Sequence, residues 1–237
     1  MESNKATDRE SLPFAELFLA LVDSTGVAAE PRVRVLDVGT GIARIPIDIC
    51  RQRHNIVVTA VDRSAALLLR ARRHIEAAQL ARRINLQQAN AASLPCHDGQ
   101  FDVVISNGLI HHLADPAAVL REMIRVLKPG GVLCVRDTLP QSDCGLIAAV
   151  LARPATADSA TASNKHQPAW RDSLNLDQAR QLAQVAGLPL DCVATAGRRH
   201  WTITGLLSTQ SSSHTPCAVV ITDRSAPDLL FGRIPGR

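Results

Sequence analysis

The chain has 237 residues, a formal net charge of +4, 46% hydrophobic residues and 20% charged residues. This composition is typical of a globular protein, and the length allows one α/β domain with a full core, or a domain with a lid. Only 3% of the residues are aromatic and none is Tyr, which argues against nucleic-acid binding by base stacking on exposed rings. We therefore expect an aliphatic core and no nucleic-acid partner.

The cysteines and the N-terminal residues argue against two further classes of protein. None of the six cysteines forms a C-x-x-C pair, and no Cys/His group has the spacing of zinc ligands, so no metal site is predicted. The first residues, MESNKATDRESLPF, are polar and lack the apolar segment of a signal peptide. No stretch reaches the ~18 apolar residues that a membrane span needs. These features predict a cytoplasmic protein without a membrane partner.

Apolar runs of strand length occur five times between residues 33 and 138. They are rich in Val, Ile and Leu, as in parallel strands covered on both faces, and span 33–38, 56–62, 84–89, 101–106 and 131–137. Three helical patterns lie between them, and the last, DPAAVLREMIRVLKPGG, has an early Pro and a Gly-Gly stop. Strands that alternate with helices predict a doubly wound α/β fold with a parallel sheet.

The flanking segments complete the predicted organisation. Residues 1–30 are predicted to form an N-terminal helical cap, packed on the sheet or over a ligand, and residues 31–207 one domain. A segment rich in Ala, Ser and Thr predicts a lid over 139–172, and two later runs, LDCVATA and RHWTITGL, predict a closing antiparallel hairpin. With the five parallel strands, this hairpin gives a mostly parallel, seven-stranded, Rossmann-like sheet. Residues 208–237 are predicted to be a poorly ordered tail.

The sequence VLDVGTGIARIPI, residues 35–47, turns from a strand into a helix through two glycines. A dinucleotide-binding G-x-G-x-x-G pattern would need a third glycine where Arg44 stands, and no G-K-[ST] follows for a phosphate loop. The alternative pattern, acidic-x-Gly-x-Gly, runs from Asp37 to Gly41. Its glycines let the backbone approach a ligand closely, and its carboxylate can bind an ammonium or another cationic centre. This pattern favours a compact zwitterionic ligand.

Three further blocks follow the glycine turn in the order and spacing of one known family. Asp62 ends the second strand, 23 residues after Gly39. It is followed by ANAASLPCHDGQFDVVISNGLIHHLADP, residues 89–116, and by REMIRVLKPGGVLCVRD, residues 121–137. With the turn, these blocks cover residues 30–138 and resemble the class I S-adenosylmethionine-dependent methyltransferases of the type 11-like group.

The resemblance implies a methyltransferase domain over 31–207 with S-adenosylmethionine as its cofactor. Asp62 stands where the family binds both ribose hydroxyls, and Asn90 stands where an Asp usually accepts from the adenine amino group. Asn107 ends the fourth strand beside the expected methyl position, where it can contact the methionine part, orient the substrate or equally cap a turn. Ala43 replaces a frequent third glycine. The implied cofactor-binding residues are Asp37, Gly39, Thr40, Gly41, Asp62, Arg63, Asn90, Ala91 and Asn107.

The candidate catalytic residues are His111 and Asp137. A histidine titrates near neutrality and can remove a proton from an acceptor, and Asp137 ends the fifth strand at the edge where ligands bind in this fold. Because paired histidines are common in this block, a structural role for His111 and His112 is the competing interpretation. Asp137 can equally be a base, a substrate anchor or a helix cap. His200 and Trp201 are expected to shape the sheet edge.

The acceptor is predicted to be a small molecule. The [NDS]-P-P-[YFW] pattern of many nucleic-acid amino methyltransferases is absent, and SNGL, residues 106–109, stands in its place. A catalytically inactive S-adenosylmethionine-binding regulatory or partner protein is the alternative, since Ala43 and Asn90 depart from the family pattern and no base is obvious. An NAD-dependent oxidoreductase is disfavoured by Arg44 and by the absence of Tyr.

Overall fold

The computed structural model describes residues 13–140, 173–207 and 218–219. These residues form a sheet with helices packed on both faces, which confirms the predicted α/β fold class. Nearly all of the predicted lid, 139–172, and most of the predicted tail, 208–237, lie outside the described residues.

Seven strands lie side by side in one mixed sheet, and a short eighth strand pairs with one of them. They are β1 (Val33–Val38), β2 (Ile56–Asp62), β3 (Ile84–Gln88), β4 (Phe101–Asn107), β5 (Leu127–Thr138), β6 (Val193–Ala196), β7 (His200–Leu207) and β8 (Ala218–Val219). The order is β3-β2-β1-β4-β5-β7-β6, and β8 pairs with β7. The first five strands are parallel, and β7 is antiparallel to β5 and β6, which confirms the predicted sheet and hairpin.

The fifth strand begins earlier than predicted, at Leu127. Leu127 pairs with Phe101, but the next pair joins Val132 to Val103, so the Lys-Pro-Gly-Gly sequence forms a bulge between them. A Cβ atom at Gly131 would lie 2.7 Å from Leu127 Cδ1 and 2.8 and 2.9 Å from two backbone oxygens. Glycine at this position therefore lets the chain pass close to the neighbouring backbone as it enters the sheet.

Helices cover the two faces of the sheet unequally. The described helices are α1 (Phe14–Ser24), α2 (Arg44–Gln52), α3 (Ala65–Ala77), α4 (Pro116–Val126) and α5 (Leu176–Val185). The first three pack on one face and the last two on the other, over cores that are aliphatic apart from a few rings such as Phe18 and Trp201. No described helix is long and apolar enough to cross a membrane.

The first helix is part of the domain core. Its buried residues recur at helical spacing and contact α2 and β5. Phe14, in its first turn, lies under the guanidinium of Arg136, which is 4.9 Å from the ring centroid. This part of the predicted N-terminal cap therefore borders the carboxyl edge of the sheet, where the predicted site residues lie.

Candidate functional site

The glycine turn joins β1 to α2 at the carboxyl edge of the sheet. The backbone N–H groups of Gly39 and Thr40 donate to the carbonyl oxygen of Val61, at 2.9 and 3.0 Å, and so tie the turn to β2. Gly41 has a φ of +57°, in the left-handed region that glycine adopts without strain. A Cβ atom at Gly41 would meet nothing within 4 Å, so open space lies beside this backbone. The turn has the bare surface that close approach of a ligand requires.

The same turn packs against the segment that follows β4. A Cβ atom at Gly39, where φ is +78°, would lie 3.0 Å from Leu109 Cδ1. Leu109 precedes the short helical turn Ile110–His112, which contains the predicted catalytic histidine. Glycine at position 39 therefore allows the predicted cofactor turn and the predicted catalytic segment to meet.

Asp37 is a buried carboxyl group at the end of β1. The residue is 2% exposed, and neither its Oδ2 atom nor Thr40 Oγ1 has a hydrogen-bond partner among the described residues. Burial raises the pKa of Asp37 to about 7; the Thr40 hydroxyl nearby opposes this rise and the Asp62 charge adds to it. A buried carboxylate without a partner carries a desolvation cost that a cationic ligand would offset.

These features fit the predicted cofactor. The ammonium group of S-adenosylmethionine can donate to Asp37 Oδ2 and neutralise its charge. The Thr40 hydroxyl, in the same turn, is buried and has no hydrogen bond of normal geometry among the described residues. The left-handed Gly41 leaves the backbone open on its ligand side. The three residues thus supply a carboxylate, a hydroxyl and a close-approach backbone within five consecutive positions, 37–41.

Asp62 organises the glycine turn. Its Oδ2 accepts from the Gly41 N–H at 2.9 Å, and its Oδ1 accepts from the Ser64 N–H at 2.8 Å. Ser64 in turn is the N-cap of α3 and accepts from the Leu67 N–H at 3.3 Å. Each carboxylate oxygen has a second lone pair, so ribose hydroxyls can still donate to Asp62. Its ribose role remains a prediction, and its role in holding Gly41 is an additional one that the sequence did not reveal.

The predicted adenine-side residues lie on the loop after β3. Asn90 Oδ1 accepts from the Ala92 N–H at 3.1 Å, which uses one lone pair of the oxygen predicted to meet adenine. Ala91 is half-buried beside it, and the Arg63 side chain is exposed. The Arg63 carbonyl oxygen accepts from Gln88 Nε2 at 3.1 Å. Asn90 and Ala91 thus lie on the loop after β3, and Arg63, after β2, contacts the end of β3; their contacts with the cofactor remain predictions.

An ion pair on α4 holds the rest of this loop, and the sequence analysis missed it. The Glu122 carboxylate accepts from the Leu94 N–H at 2.8 Å and pairs with Arg125 at 2.7 Å. Arg125 donates to the Leu94 and Cys96 carbonyl oxygens at 3.2 and 2.9 Å, and pairs with Asp98 at 2.6 Å. These hydrogen bonds lower the pKa of Glu122 and raise that of Arg125. Glu and Arg at i and i+3 in a helical pattern are the only signal in the sequence.

Asn107 contacts a buried arginine that was also missed. Arg136 is 8% exposed, and its Nε donates to Asn107 Oδ1 at 2.8 Å. Burial lowers the pKa of Arg136, and its guanidinium lies over the Phe14 ring. The Asn107 side chain is therefore positioned by Arg136 at the carboxyl end of β4. A charged residue inside the apolar run GVLCVRD was the signal that could have pointed to it.

His111 and Asp137 form a hydrogen-bonded pair. His111 Nδ1 lies 2.6 Å from Asp137 Oδ1, and the His111 backbone N–H donates to Asp137 Oδ2 at 3.2 Å. Asp137 is 1% exposed and also accepts from the Thr138 N–H at 2.6 Å. An ionised carboxylate only accepts, so this contact uses Nδ1 as the donor and leaves Nε2 as the ring nitrogen that does not contact Asp137. The two candidate catalytic residues, 26 positions apart, are thus brought together.

The expectation that His200 and Trp201 shape the sheet edge was wrong. Both lie in β7, which has β5 on one side and β6 on the other, and Trp201 is 0% exposed and pairs with Asp137. The reason is topological: the first strand of the hairpin forms the edge, and the second inserts beside β5. Burial lowers the pKa of His200, and the nearby Arg136 adds to this effect. Within the described residues, no group of His, Cys, Asp and Glu is arranged to hold a metal ion.

Comparison with known proteins agrees with this geometry. Residues 29–184 match a methyltransferase domain family. Over 108 residues the chain is 34% identical to the ubiquinone/menaquinone biosynthesis C-methyltransferase UbiE of Geotalea daltonii, covering 45% of this chain and 46% of that protein. It is 32% identical over 134 residues to the 27-O-demethylrifamycin SV methyltransferase of Amycolatopsis mediterranei, covering 56% of this chain and 49% of that protein. The chain thus spans about half the length of these relatives.

A solved structure supports the fold independently. The crystal structure of a SAM dependent methyltransferase from Aquifex aeolicus superposes with a TM-score of 0.58 at 19% identity, covering 79% of this chain and 91% of that one. The family match covers well over half of the 237 residues and includes the glycine turn, Asp62 and the His111–Asp137 pair. The chain therefore belongs to the methyltransferase domain family, and S-adenosylmethionine is its cofactor.

Proposed function

We propose that the protein transfers a methyl group from S-adenosylmethionine to a small-molecule acceptor that carries an ionisable hydroxyl group, such as a phenol or a hydroquinone. The His111–Asp137 pair is the observation that carries this proposal, because an oriented imidazole is a general base for such a hydroxyl. His111 lies two residues after Leu109, which packs against Gly39 of the glycine turn, so a base and a cofactor site adjoin one another.

In this proposal Asp137 positions His111 and does not itself touch the acceptor. It fixes the proton on Nδ1 and holds the backbone at position 111, so that Nε2 accepts the proton of the acceptor hydroxyl. Deprotonation raises the electron density on the acceptor oxygen and on ring carbons conjugated with it. When bound, S-adenosylmethionine would supply the electrophilic methyl group, exchanging its bond to sulfur for a bond to the acceptor, with S-adenosylhomocysteine as the second product. The residues otherwise align the reactants and exclude water.

The cofactor site is proposed to use the carboxyl ends of β1, β2 and β4. Asp37 and Thr40 receive the methionine part, Asp62 the ribose, and the loop carrying Asn90 and Ala91 the adenine. Asn107, held by Arg136, borders the reacting methyl group. The buried unpaired atoms of Asp37 and Thr40 support the first of these assignments most directly.

The relatives support a small-molecule acceptor and leave the attacking atom open. One carries the name of a quinone-biosynthesis C-methyltransferase and the other that of an O-methyltransferase of demethylrifamycin SV. A base that serves an oxygen or a conjugated ring carbon is compatible with either outcome.

Turnover on an acceptor panel tests the proposal. Release of S-adenosylhomocysteine would be measured with phenols, hydroquinones, amines and thiols of similar size, for the wild type and for His111→Gln. We expect turnover with hydroxylated rings, and a loss of about 10²–10⁴-fold in His111→Gln with cofactor affinity unchanged. Cofactor binding without turnover on any acceptor would instead support the alternative, an inactive S-adenosylmethionine-binding partner protein. Turnover that survives in His111→Gln would refute the base.

A further inference from the structure

A cavity of about 260 Å³ lies at the amino edge of the sheet, at the opposite ends of the strands from the glycine turn. Residues at or just before the starts of β1, β2, β3 and β4 line it, and no residue of the candidate cofactor site does so. Four of its lining residues are arginines: Arg32, Arg34, Arg82 and Arg83.

The cavity exists because one part of the sheet has no covering helix. The connection from β3 to β4, residues 89–100, is fully described and contains no helix. On that face α4 packs over β4 and β5, whereas residues near the starts of β1, β2 and β3 are exposed or half-buried. The register places Arg34 beside Val57 and Thr59 beside Asn85 on this open face. The sheet residues that line the cavity thus expose polar and basic side chains.

Three of the arginines have no counter-ion among the described residues. The side chains of Arg32, Arg34 and Arg82 are exposed, and none makes a hydrogen bond or ion pair with a described residue. Arg83 differs, because it donates to the Arg53 and Cys50 carbonyl oxygens and helps to hold the chain. Like charges that converge on one concavity repel one another unless an anion joins them.

A neighbouring carboxylate, that of Asp102, is already engaged. Asp102 accepts from the Arg34 backbone N–H at 2.7 Å and pairs with Lys128 at 2.5 Å, so it does not neutralise the arginine side chains. The remaining polar lining consists of the Thr59 hydroxyl and the side-chain amides of Asn85 and Gln100. These groups can donate to further oxygens of a bound anion.

We propose that this cavity binds a small organic phosphate. Guanidinium groups recognise phosphate oxygens in a bidentate manner, and three of them around a concave, polar site match a compact dianion with a hydroxylated body. The concavity favours a small molecule over an extended nucleic-acid backbone. The site goes beyond the proposed methyl transfer and does not depend on it, since the two sites occupy opposite edges of the sheet.

Calorimetric titration with ribose 5-phosphate tests the proposal. The protein would be kept at low salt with S-adenosylhomocysteine present to fill the cofactor site, and ribose would serve as the uncharged control. We expect saturable binding of ribose 5-phosphate, with a dissociation constant on the order of 1 mM or below, and none of ribose. The variant R32A/R34A/R82A should bind at least about tenfold more weakly, because each lost guanidinium removes charge-assisted hydrogen bonds.

A matched variant distinguishes specific phosphate binding in the cavity from non-specific attraction of an anion to the positively charged protein. R70A/R72A/R73A removes three exposed arginines of α3 that do not line the cavity, so its net charge equals that of the cavity variant. We expect it to bind within about twofold of the wild type, with circular dichroism confirming that both variants fold. Equal losses in the two variants, or no saturable binding by the wild type, would overturn the proposal. Binding of a short single-stranded RNA without binding of ribose 5-phosphate would overturn it in favour of a nucleic-acid surface.

Discussion

Two buried aspartates at the carboxyl edge of the sheet have opposite surroundings. Asp37, at the end of β1, is 2% exposed, and its Oδ2 has no partner among the described residues. Asp137, near the end of β5, is 1% exposed and accepts from His111 and from Thr138. Among the described residues, one carboxyl group has an oxygen without a hydrogen-bond partner, whereas the other accepts from its neighbours.

The difference separates a binding group from a positioning group. Burial favours the neutral form of a carboxyl group, and it raises the pKa of Asp37 to about 7 although the Thr40 hydroxyl opposes the rise. A bound cationic ligand would therefore stabilise the ionised form of Asp37. Asp137 is already surrounded by donors and has its geometry fixed before any ligand arrives. We infer that the cofactor side of the site is completed by its ligand, whereas the His111–Asp137 pair is preassembled.

Replacing Asp137 should have the largest effect. In Asp137→Asn the carboxylate no longer fixes the proton on His111 Nδ1, so the imidazole is no longer held in the form in which Nε2 accepts a proton. We expect kcat to fall about 10³-fold on any acceptor that the wild type methylates, with KM changed little. Steady-state measurement of S-adenosylhomocysteine release checks the split between kcat and KM.

The matched control for this prediction is Asp115→Asn. Asp115 is the N-cap of α4 and accepts from the Ala118 N–H at 2.9 Å, a role that Asn performs equally well. The same chemical change near the same segment should therefore leave kcat within about twofold of the wild type. A kcat for Asp137→Asn within tenfold of the wild-type value would contradict the preassembled pair.

Cofactor affinity should depend on pH through Asp37. With a pKa of about 7, Asp37 is mostly protonated at pH 5.5 and mostly ionised at pH 8. Because the cofactor ammonium favours the ionised form, the affinity of the wild type for S-adenosylhomocysteine should be roughly 30-fold weaker at pH 5.5 than at pH 8. Asp37→Asn should be weaker at pH 8, by about 30- to 100-fold, and show no such dependence. Calorimetry at the two pH values measures both effects.

In the ligand-free protein, the ionisation of Asp37 should lower the free energy of unfolding, whereas it raises cofactor affinity. The pKa of Asp37 is higher in the folded state than its ordinary value of 3.8, so its ionisation disfavours folding. Relative to Asp37→Asn, the wild type should lose free energy of unfolding as the pH rises from about 4 to 7, and then level off. Denaturant unfolding across this range provides the check, and a parallel pH course of the two proteins would contradict a buried, unpaired Asp37.

The sequence predicted those parts of the molecule that depend on local pattern. The bounds of β1 and β2 match the structure, and those of β3 and β4 differ by one residue, since apolar runs between turn signals define such strands. Both members of the His111–Asp137 pair were predicted as catalytic candidates. Their hydrogen bond was not, because it depends on how the end of β5 lies beside the segment after β4.

The parts that escaped prediction depend on contacts between distant segments. Arg136 stands in an apolar strand, and only the fold reveals that it is buried between Asn107 and Phe14. The second role of Asp62, in holding Gly41, likewise requires β2 to lie beside the glycine turn. The position of β7 inside the sheet cannot be derived from a hairpin pattern, which leaves open which strand forms the edge.

The adenine-side loop shares one property with each of the two aspartates, and replacing Arg125 tests whether its preassembly matters for binding. This loop is preassembled like the Asp137 pair, because Arg125 holds the Leu94 and Cys96 carbonyl oxygens, yet its proposed task is binding. Arg125→Ala should therefore weaken S-adenosylhomocysteine affinity modestly, by about three- to tenfold, without changing its pH dependence. Arg121→Ala, an exposed arginine on the same helix, is the matched control and should bind as the wild type does. Equal affinities of the two variants would show that the loop is held without Arg125, and a loss that appears only at high pH would instead connect Arg125 to Asp37.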